Sequence, residues 1–281
     1  MMTRTALALS ALLALAACGP DADAPPAELT SAAEVADAML ASFEANIGGV
    51  EGFTVSADGV EGRYTVTGDT ASMDRVQFQV VPVSGMASPE TAQLLYSHVP
   101  NVTRIASGMR GAAFEGRTTR DGRPAYVLST DNPEAMLGQS GGQAPSGERV
   151  LRLYVDPETF DVLEIYQSFE ADTTAFTTRL IYSDFRSDEG VRLPYRIRQS
   201  TTGLNQAIPE TERVAIAGQI GLALRQAEQM PMGPERMARQ AELEKELRRV
   251  TEGIDESEVE IERVVTGIPE VAPVTGPPSG P

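Results

Sequence analysis

The segment from residue 149 to residue 200 alternates apolar and polar side chains, and this alternation constrains the fold more than any other feature. A period of two is typical of β-strands, whose successive side chains point to opposite faces. Leu151, Leu153 and Val155 form one such row, and a turn at residues 156–159 precedes the next row. A further turn is expected at residues 187–190, before the last strand of the segment. The pattern predicts consecutive hairpins in a curved antiparallel sheet with one apolar and one wet face.

The apolar face of this predicted sheet is the first candidate site. Its members are Leu151, Leu153, Val155, Leu163, Ile165, Leu193, Tyr195 and Ile197. In the last strand Arg192, Arg196 and Arg198 alternate with them and are expected to face solvent. Pro194 has no N–H for a sheet ladder, so it is expected at an edge or a bulge. The apolar residues line either a cavity for a hydrophobic ligand or a filled core, and the sequence leaves both interpretations open.

A helix is predicted to precede the sheet. Ser31 offers a hydroxyl cap and Glu34 occupies the capping-box position, while Val35, Met39 and Phe43 recur at helical spacing. Strands are expected in residues 53–83 and 112–130, turning at Asp58-Gly59 and Asp121-Gly122, with a short helix from Pro89 to Ser97 between them. This order of elements predicts an α+β domain.

Residues 210–251 interrupt the strand pattern with two predicted helices. The prolines of Met230-Pro231-Met232-Gly233-Pro234 separate the helices. Met230, Met232 and Met237 supply unbranched, adaptable apolar side chains. We expect this insertion to form a lid over the open side of the sheet, or else to cover a sheet face or to dock on a partner. A final strand is expected in residues 257–267.

Cys18 is the only cysteine in the 281 residues, and its surroundings are typical of an exported protein. Arg4 precedes an apolar run from Thr5 to Ala16, which is too short to span a membrane and fits a secretory signal peptide. The quartet Leu15-Ala16-Ala17-Cys18 resembles the lipobox of bacterial lipoproteins. That resemblance implies that Cys18 becomes the lipidated first residue of the mature protein, which anchors the chain on a membrane.

The residues around Cys18 also set the predicted boundaries of the chain. We expect a signal peptide in residues 1–17, a Pro-rich tether in 18–30, the folded domain in 31–267 and a disordered tail in 268–281. In many such lipoproteins an aspartate after the cysteine marks retention in the inner membrane. Gly19 stands there instead. The outer membrane, on its periplasmic side, is therefore the expected location.

Charge and residue types exclude several classes of function. Acidic residues outnumber basic ones by 40 to 23, and the net charge of -17 repels the phosphate backbone of nucleic acids. One cysteine and one histidine, His98, are too few for a typical zinc or transition-metal site, and no metal or other cofactor is expected. No acid–base or nucleophile–base pair stands out, so an enzyme is not expected.

One motif invites a different interpretation. The residues Gly138-Gln139-Ser140-Gly141-Gly142 look like the surroundings of the serine in trypsin-like peptidases, and His98 and Asp121 precede Ser140 in the order of that family. Only about forty residues separate His98 from Ser140, which is too few for the two barrels that such enzymes build around their triad. We therefore do not assign this motif a catalytic role.

Two stretches resemble a known family. The sequences LYVDPETFDVLEIYQS and LIYSDFRSDEGVRLPYRIRQ look like repeated hairpins of the outer-membrane lipoprotein-sorting superfamily, which includes the periplasmic lipoprotein carrier and its membrane receptor. The opening helix followed by VEGFTVSADGVEGRYTVTG is similar to that family's entry. The resemblance implies a half-open antiparallel β-barrel whose mouth is covered by helices and whose concave apolar surface holds acyl chains. The chain departs from the family after residue 205.

Two functional classes remain open at this point. The first is a membrane-anchored periplasmic protein that binds a lipid, an acylated protein or another hydrophobic ligand in its half-barrel. The second is a non-enzymatic envelope protein, such as a sensor or assembly accessory, that has a filled core and a protein partner. The presence of an apolar cavity distinguishes the two.

Overall fold

The computed structural model describes residues 28–47, 49–66, 76–82, 95, 102–133, 147–171 and 174–267, with the backbone alone for 76–82. In these ranges the helices are α1 (Ala32–Asn46), α2 (Val102–Met109), α3 (Glu210–Glu228) and α4 (Pro234–Thr251), with a short 3-10 helix at Leu204–Ala207. The first strands are β1 (Gly52–Ala57), β2 (Val60–Val66), β3 (Val76–Pro82), β4 (Ala113–Arg120), β5 (Arg123–Thr130) and β6 (Glu148–Val155). The remaining strands are β7 (Val162–Ala171), β8 (Thr174–Asp188), β9 (Val191–Thr202), β10 (Asp255–Glu260) and β11 (Arg263–Thr266). The fold is therefore α+β, as predicted.

Several predicted features lie outside the described residues. They are the signal peptide with Cys18, most of the tether, the Pro89–Ser97 helix except Leu95, His98, Ser140 and the tail at 268–281. Asp121 is described, and its carboxylate pairs with Arg179 at 3.1 Å.

Helix α1 begins as its sequence predicts. The Ser31 hydroxyl accepts a 3.2 Å hydrogen bond from the Glu34 N–H, and the Glu34 carboxylate accepts a 3.1 Å bond from the Ser31 N–H. These bonds form the predicted capping box. The buried face includes Val35, Met39 and Phe43, which is the predicted apolar stripe. This face packs on the sheets described next.

The strands form two antiparallel sheets. Seven strands follow the order β10-β9-β8-β7-β6-β5-β4, and four follow the order β11-β1-β2-β3. Neither sheet closes on itself in the part of the chain that is described. One large cluster of buried side chains draws on both sheets, α1 and α2, so the helices cover a shared apolar face.

The final strand differs from the prediction because it divides between the sheets. β10 pairs with β9 and β11 pairs with β1. Between them, the Ile261 N–H donates to the Tyr195 carbonyl at 2.8 Å, and the Glu262 N–H donates to the Ser56 carbonyl at 2.9 Å. The backbone therefore changes partner at these two residues and links the two sheets.

Three predicted turns hold residues in the left-handed region. Asp58 and Gly59 have φ of 46° and 72°, and Asp121 and Gly122 have φ of 48° and 80°. Positive φ at both positions is the type I′ geometry that suits a two-residue hairpin loop. The predicted turn at residues 187–190 is tighter than expected, because only Glu189 and Gly190 lie outside the strands.

Helices α3 and α4 form a hairpin at the predicted position between β9 and β10, and the predicted break at residues 230–234 separates them. Their buried side chains, Ile220, Ala227, Leu243 and Val250, make a cluster of their own. At the base, the Asn205 side chain donates to the Thr251 carbonyl at 3.0 Å, and Lys245 pairs with Asp255 at 3.4 Å. No described helix is both long enough and apolar enough to cross a membrane.

Candidate functional site

An apolar pocket opens between the C-terminal half of α1 and one end of the seven-stranded sheet. The cavity itself has a volume of about 50 Å³. Its walls come from α1, the start of α2, the turn between β6 and β7, and strands β8 and β9. Ligand sites usually have volumes of about 300–1,000 Å³ and mostly apolar walls. This pocket has the apolar walls of a ligand site, but its volume is that of a narrow cleft.

The floor of the pocket is buried and apolar. Met39 and Phe43 project from α1, and Tyr182 and Leu193 come from β8 and β9. Each of these four side chains is at most 4 % exposed. Burial raises the pKa of the Tyr182 phenol well above its ordinary value, so the phenol stays neutral. The floor therefore carries no charge at physiological pH.

The turn between β6 and β7 forms one wall and is built around Asp156. This carboxylate accepts hydrogen bonds from the N–H groups of Glu158 at 2.9 Å and Thr159 at 3.1 Å, and it pairs with Arg123 at 2.9 Å. Burial alone raises the pKa of Asp156, but these bonds offset that effect and hold its pKa below the ordinary value. The predicted turn at residues 156–159 is therefore confirmed, and the bonds of Asp156, its first residue, stabilise it.

Phe160 completes this turn in a conformation that aromatic residues rarely adopt. Its φ is 58°, and its N–H donates to the Asp156 carbonyl at 3.0 Å. A left-handed conformation costs a bulky residue about 1–2 kcal/mol. Phe160 lines the pocket and packs against the main cluster. The turn thus holds an aromatic ring at the pocket in spite of the backbone cost.

The rim of the pocket is polar but electrically balanced. Arg192 pairs with Asp161 at 3.0 Å, and the Thr159 hydroxyl donates to the same carboxylate at 2.7 Å. The Arg192 guanidinium also lies 5.6 Å from the centre of the Phe185 ring. Asn46 donates from its side-chain amide to the Ser42 hydroxyl at 3.2 Å. The rim of the pocket therefore consists of an ion pair with no net charge and two uncharged polar groups.

The predicted apolar residues are brought together, mostly within the core. Six of them lie in the main buried cluster, namely Leu151, Leu153, Val155, Leu193, Tyr195 and Ile197. Ile165 is partly buried against that cluster. Of the eight predicted residues, Leu193 is the one that lines the apolar pocket. The other seven do not line it.

Leu163 lies on the opposite face of the sheet from the expected one. It clusters with Ala125, Val127 and Tyr154. The cause is an irregularity in the β6–β7 ladder, where Tyr154 pairs with Glu164 while the next residue, Val155, pairs with Val162. One extra residue on β7 reverses the alternation, so Leu163 and Ile165 do not share a face.

The three methionines of the expected lid lie apart from this pocket. Met230, Met232 and Met237 are 36 %, 78 % and 58 % exposed, and none of them lines the pocket. The reason is that α3 and α4 pack on each other rather than on the apolar face of the sheet. This arrangement differs from the expected lid.

Sequence reasoning missed the residues that make the pocket. The sequence placed the stripe containing Met39 and Phe43 on α1 but assigned it to no site. An apolar helix face next to an apolar sheet face indicates that the two can line the same pocket. Phe160 carried the other signal, because a large aromatic residue inside a turn is unusual. The sequence does not predict its positive φ.

A second recess, on the solvent-exposed face of the seven-stranded sheet, surrounds a buried carboxylate. Glu164 is 1 % exposed and lies between two arginines. Arg120 donates to its two oxygens at 2.8 and 2.9 Å, and Arg179 does so at 2.7 and 2.9 Å. Burial raises the pKa of Glu164, but the two guanidinium groups more than offset it and hold the pKa below its ordinary value. All three charged groups are paired, and the two ion pairs connect β4, β7 and β8.

Comparison of the chain with protein-family models, curated proteins and solved structures gives no match. Within the described residues, no group of three or more His, Cys, Asp or Glu side chains is placed to hold a metal ion. The chemistry of the pocket is therefore inferred from its own walls, which offer an apolar floor and a neutral polar rim.

Proposed function

We propose that this protein is a lipid-anchored envelope protein that binds a hydrophobic molecule, such as a lipid or the acyl group of a lipoprotein. The observation that carries the proposal is the pocket between α1 and the sheet, with its buried uncharged floor. Such a site favours an apolar chain, because transfer of apolar surface from water is favourable and no charge has to be desolvated. No catalytic step is part of this proposal.

The same proposal includes a half-open barrel. The β10–β11 segment links the two sheets. The eleven described strands therefore follow one continuous order, with β4 at one end and β3 at the other. Helices α1 and α2 bury side chains in the cluster that both sheets share. This supports a sheet curved around the helices with the pocket at its open side.

The first experiment fills the pocket. Val102 is half-buried and lines the pocket, so Val102→Trp places a large side chain there. Binding of a fluorescent fatty acid to the full chain should weaken about tenfold or more, because the side chain excludes the probe. Val150→Trp is the matched control, since Val150 is half-buried and does not line the pocket. Equal affinities for the two variants and the unmodified chain would contradict the proposed pocket.

The second candidate function is a filled-core interaction protein. One observation favours it: Leu151, Leu153 and Ile197, expected to line a cavity, are 0 % exposed and packed in the core. Leu153→Trp should overpack such a core and cost about 1–3 kcal/mol. Absence of any probe binding by the unmodified chain, together with this loss of stability, would favour the second function.

The anchor is proposed at Cys18, on the outer membrane and facing the periplasm, from the lipobox and Gly19. Cys18→Ala should abolish incorporation of radioactive palmitate and move the protein from the membrane pellet to the soluble fraction. Labelling that persists in this variant would contradict the anchor. A nucleic-acid partner and a metal are not part of the proposal, whereas a protein partner in the envelope is compatible with it.

A further inference from the structure

The exposed large hydrophobic residues of the described chain are concentrated in one place. All five, Val214, Leu222, Met230, Met232 and Met237, belong to the hairpin of α3 and α4. The most exposed is Met232, at 78 %, in the connection between the helices. Val214 lies near the start of α3, whereas Met230, Met232 and Met237 lie close together at the other end of the hairpin. Exposed apolar side chains grouped in this way mark a surface that meets a protein or a membrane.

The hairpin tip, residues 229–234, is uncharged along its whole length. Met230, Pro231, Met232 and Pro234 are all exposed there. Met237, one turn into α4, adds a third exposed methionine beside them. A tip of this kind can enter the headgroup region of a bilayer without carrying an ionised group with it.

The hairpin also differs from the rest of the chain in charge. Residues 210–251 contain seven acidic and seven basic residues, so they carry no net charge, while the whole chain carries -17. Near the tip, residues 225–239 contain three arginines and two glutamates, and Arg239 pairs with Glu242 at 2.7 Å, so this end of the hairpin also carries no net charge. An anionic lipid surface therefore repels the rest of the protein but does not repel this end of the hairpin.

Two of these arginines, Arg225 and Arg236, lie on either side of the tip in the sequence. Arg236 donates a 3.3 Å hydrogen bond to the Met230 carbonyl, which holds its guanidinium at the tip. Arg225 donates to the Gly221 carbonyl at 3.4 Å. No carboxylate of the described residues forms an ion pair with either arginine.

We propose that the hairpin tip docks on an anionic lipid surface, with Met230 and Met232 entering the headgroup region and Arg225 and Arg236 contacting phosphates. The hairpin core is separate from the main core, and its base is tied to β10 and the 3-10 helix, so the tip projects away from the sheet. The surface occupied is thus distinct from the pocket of the proposed function.

The chain contains no tryptophan, so a single introduced tryptophan reports its own surroundings. Met232→Trp places the reporter at the tip. Leu222→Trp is the matched control on the same hairpin, since Leu222 is also exposed and lies six residues before the end of α3, about 9 Å along the axis. Both full-length variants are mixed with vesicles of phosphatidylcholine and phosphatidylglycerol whose acyl chains carry bromine near the headgroup.

The expected result is that the emission of the Met232→Trp variant shifts to the blue and falls by about half or more, while that of the Leu222→Trp variant changes little. Serine at positions 230 and 237 in the Met232→Trp background should remove most of the quenching. Vesicles without phosphatidylglycerol should quench less, because the arginines then meet a surface with no net charge.

Three outcomes would overturn the proposal. Absence of quenching at position 232 would exclude contact with lipid. Equal quenching at positions 222 and 232 would mean that the hairpin lies flat rather than docking by its tip. A blue shift that needs no vesicles and grows with protein concentration would assign the surface to a second copy of the chain. Circular dichroism of each variant shows that the hairpin is folded in the sample that is measured.

Discussion

The hydroxyl of Ser42 on α1 donates a 2.8 Å hydrogen bond to the carbonyl oxygen of Thr159, 117 residues further along the chain. This bond joins the helix wall of the pocket to the turn that holds Phe160. Both partners are half-buried, so loss of the hydroxyl leaves a carbonyl with poor access to water. The bond therefore connects two walls of the pocket that come from distant parts of the sequence.

Replacing Ser42 with alanine should lower the free energy of unfolding by about 1 kcal/mol, since one half-buried hydrogen bond is lost. Chemical denaturation of the two proteins measures the difference. Ser187→Ala is the control, because Ser187 is exposed at the end of β8. Its free energy of unfolding should stay within about 0.5 kcal/mol of that of the unmodified protein. Equal losses of unfolding free energy in the two variants would mean that the effect of Ser42→Ala does not come from this hydrogen bond.

Replacing Glu164 with glutamine should have a larger effect. The amide has nearly the same shape but no charge, so Arg120 and Arg179 lose the anion that both contact. Breaking a buried pair by removing one partner costs about 3–5 kcal/mol, and the partial exposure of the arginines favours the lower value. Glu170→Gln on the exposed end of the same strand should cost less than about 0.5 kcal/mol. Similar losses of unfolding free energy in the two variants would show that Glu164 contributes no more to stability than an exposed glutamate does.

The lowered pKa of Glu164 also predicts a pH dependence. A carboxyl whose pKa is lower in the folded state stabilises the protein above the unfolded-state pKa of about 4.3, and this contribution is lost as pH falls through the folded-state pKa. The free energy of unfolding should therefore decrease below about pH 4.5. Urea titrations at a series of pH values should give a shallower decrease for Glu164→Gln than for the unmodified chain. Parallel curves would show that other carboxyls account for the acid sensitivity.

Much of the fold follows from short-range patterns. The capping box at Ser31 and Glu34, the hairpin turns and the proline break at residues 230–234 are confirmed because each depends on the chemistry of a few neighbouring residues. The β9 alternation is also confirmed, with Val191 and Ile197 buried and Arg198 exposed. Pro194 lies beyond the residues of β9 that pair with β10, as expected for an edge position.

Other features depend on distant parts of the chain and were not predictable from local patterns. Helix α2 combines β-branched residues such as Val102 and Ile105 with Gly108, all weak helix formers, and its formation depends on burial against the main core. The reversal at Leu163 requires knowledge of the β6–β7 register. The pocket joins α1 to residues more than a hundred positions away, so no local pattern reports it.

The packing at the base of the helical hairpin can be tested with two glycines in left-handed conformations. Gly203 is the test position and Gly190 is the control. Gly203, between β9 and the 3-10 helix, has φ of 88°, and a Cβ there would lie 2.1 Å from the Ala175 carbonyl oxygen. Gly190 has φ of 83°, but a Cβ there meets no atom within 4 Å. Gly190→Ala should therefore cost about 1–2 kcal/mol from backbone strain alone.

Gly203→Ala should cost about 1–3 kcal/mol more than Gly190→Ala, since the methyl group also forces the backbone of β8 to move. Thermal unfolding of both variants measures the difference. Equal melting temperatures would mean that β8 relaxes without cost, which would contradict the close packing at the start of the insertion.

The last prediction concerns the independence of the helical hairpin. Its core is separate from the main core, so α3 and α4 should open locally without unfolding the sheets. Gly218 and Gly221 weaken α3, and a Cβ at either position meets no atom within 4 Å. Alanine at both positions should stabilise the helix by about 0.8–1.0 kcal/mol per substitution, which slows amide exchange in α3 by roughly fivefold for each. Gln219→Ala, on the exposed surface of the same helix, should change exchange much less, and amides of β7 and β8 should exchange at unchanged rates in all variants. Slower exchange throughout the sheets would show instead that the hairpin and the sheets unfold as one unit.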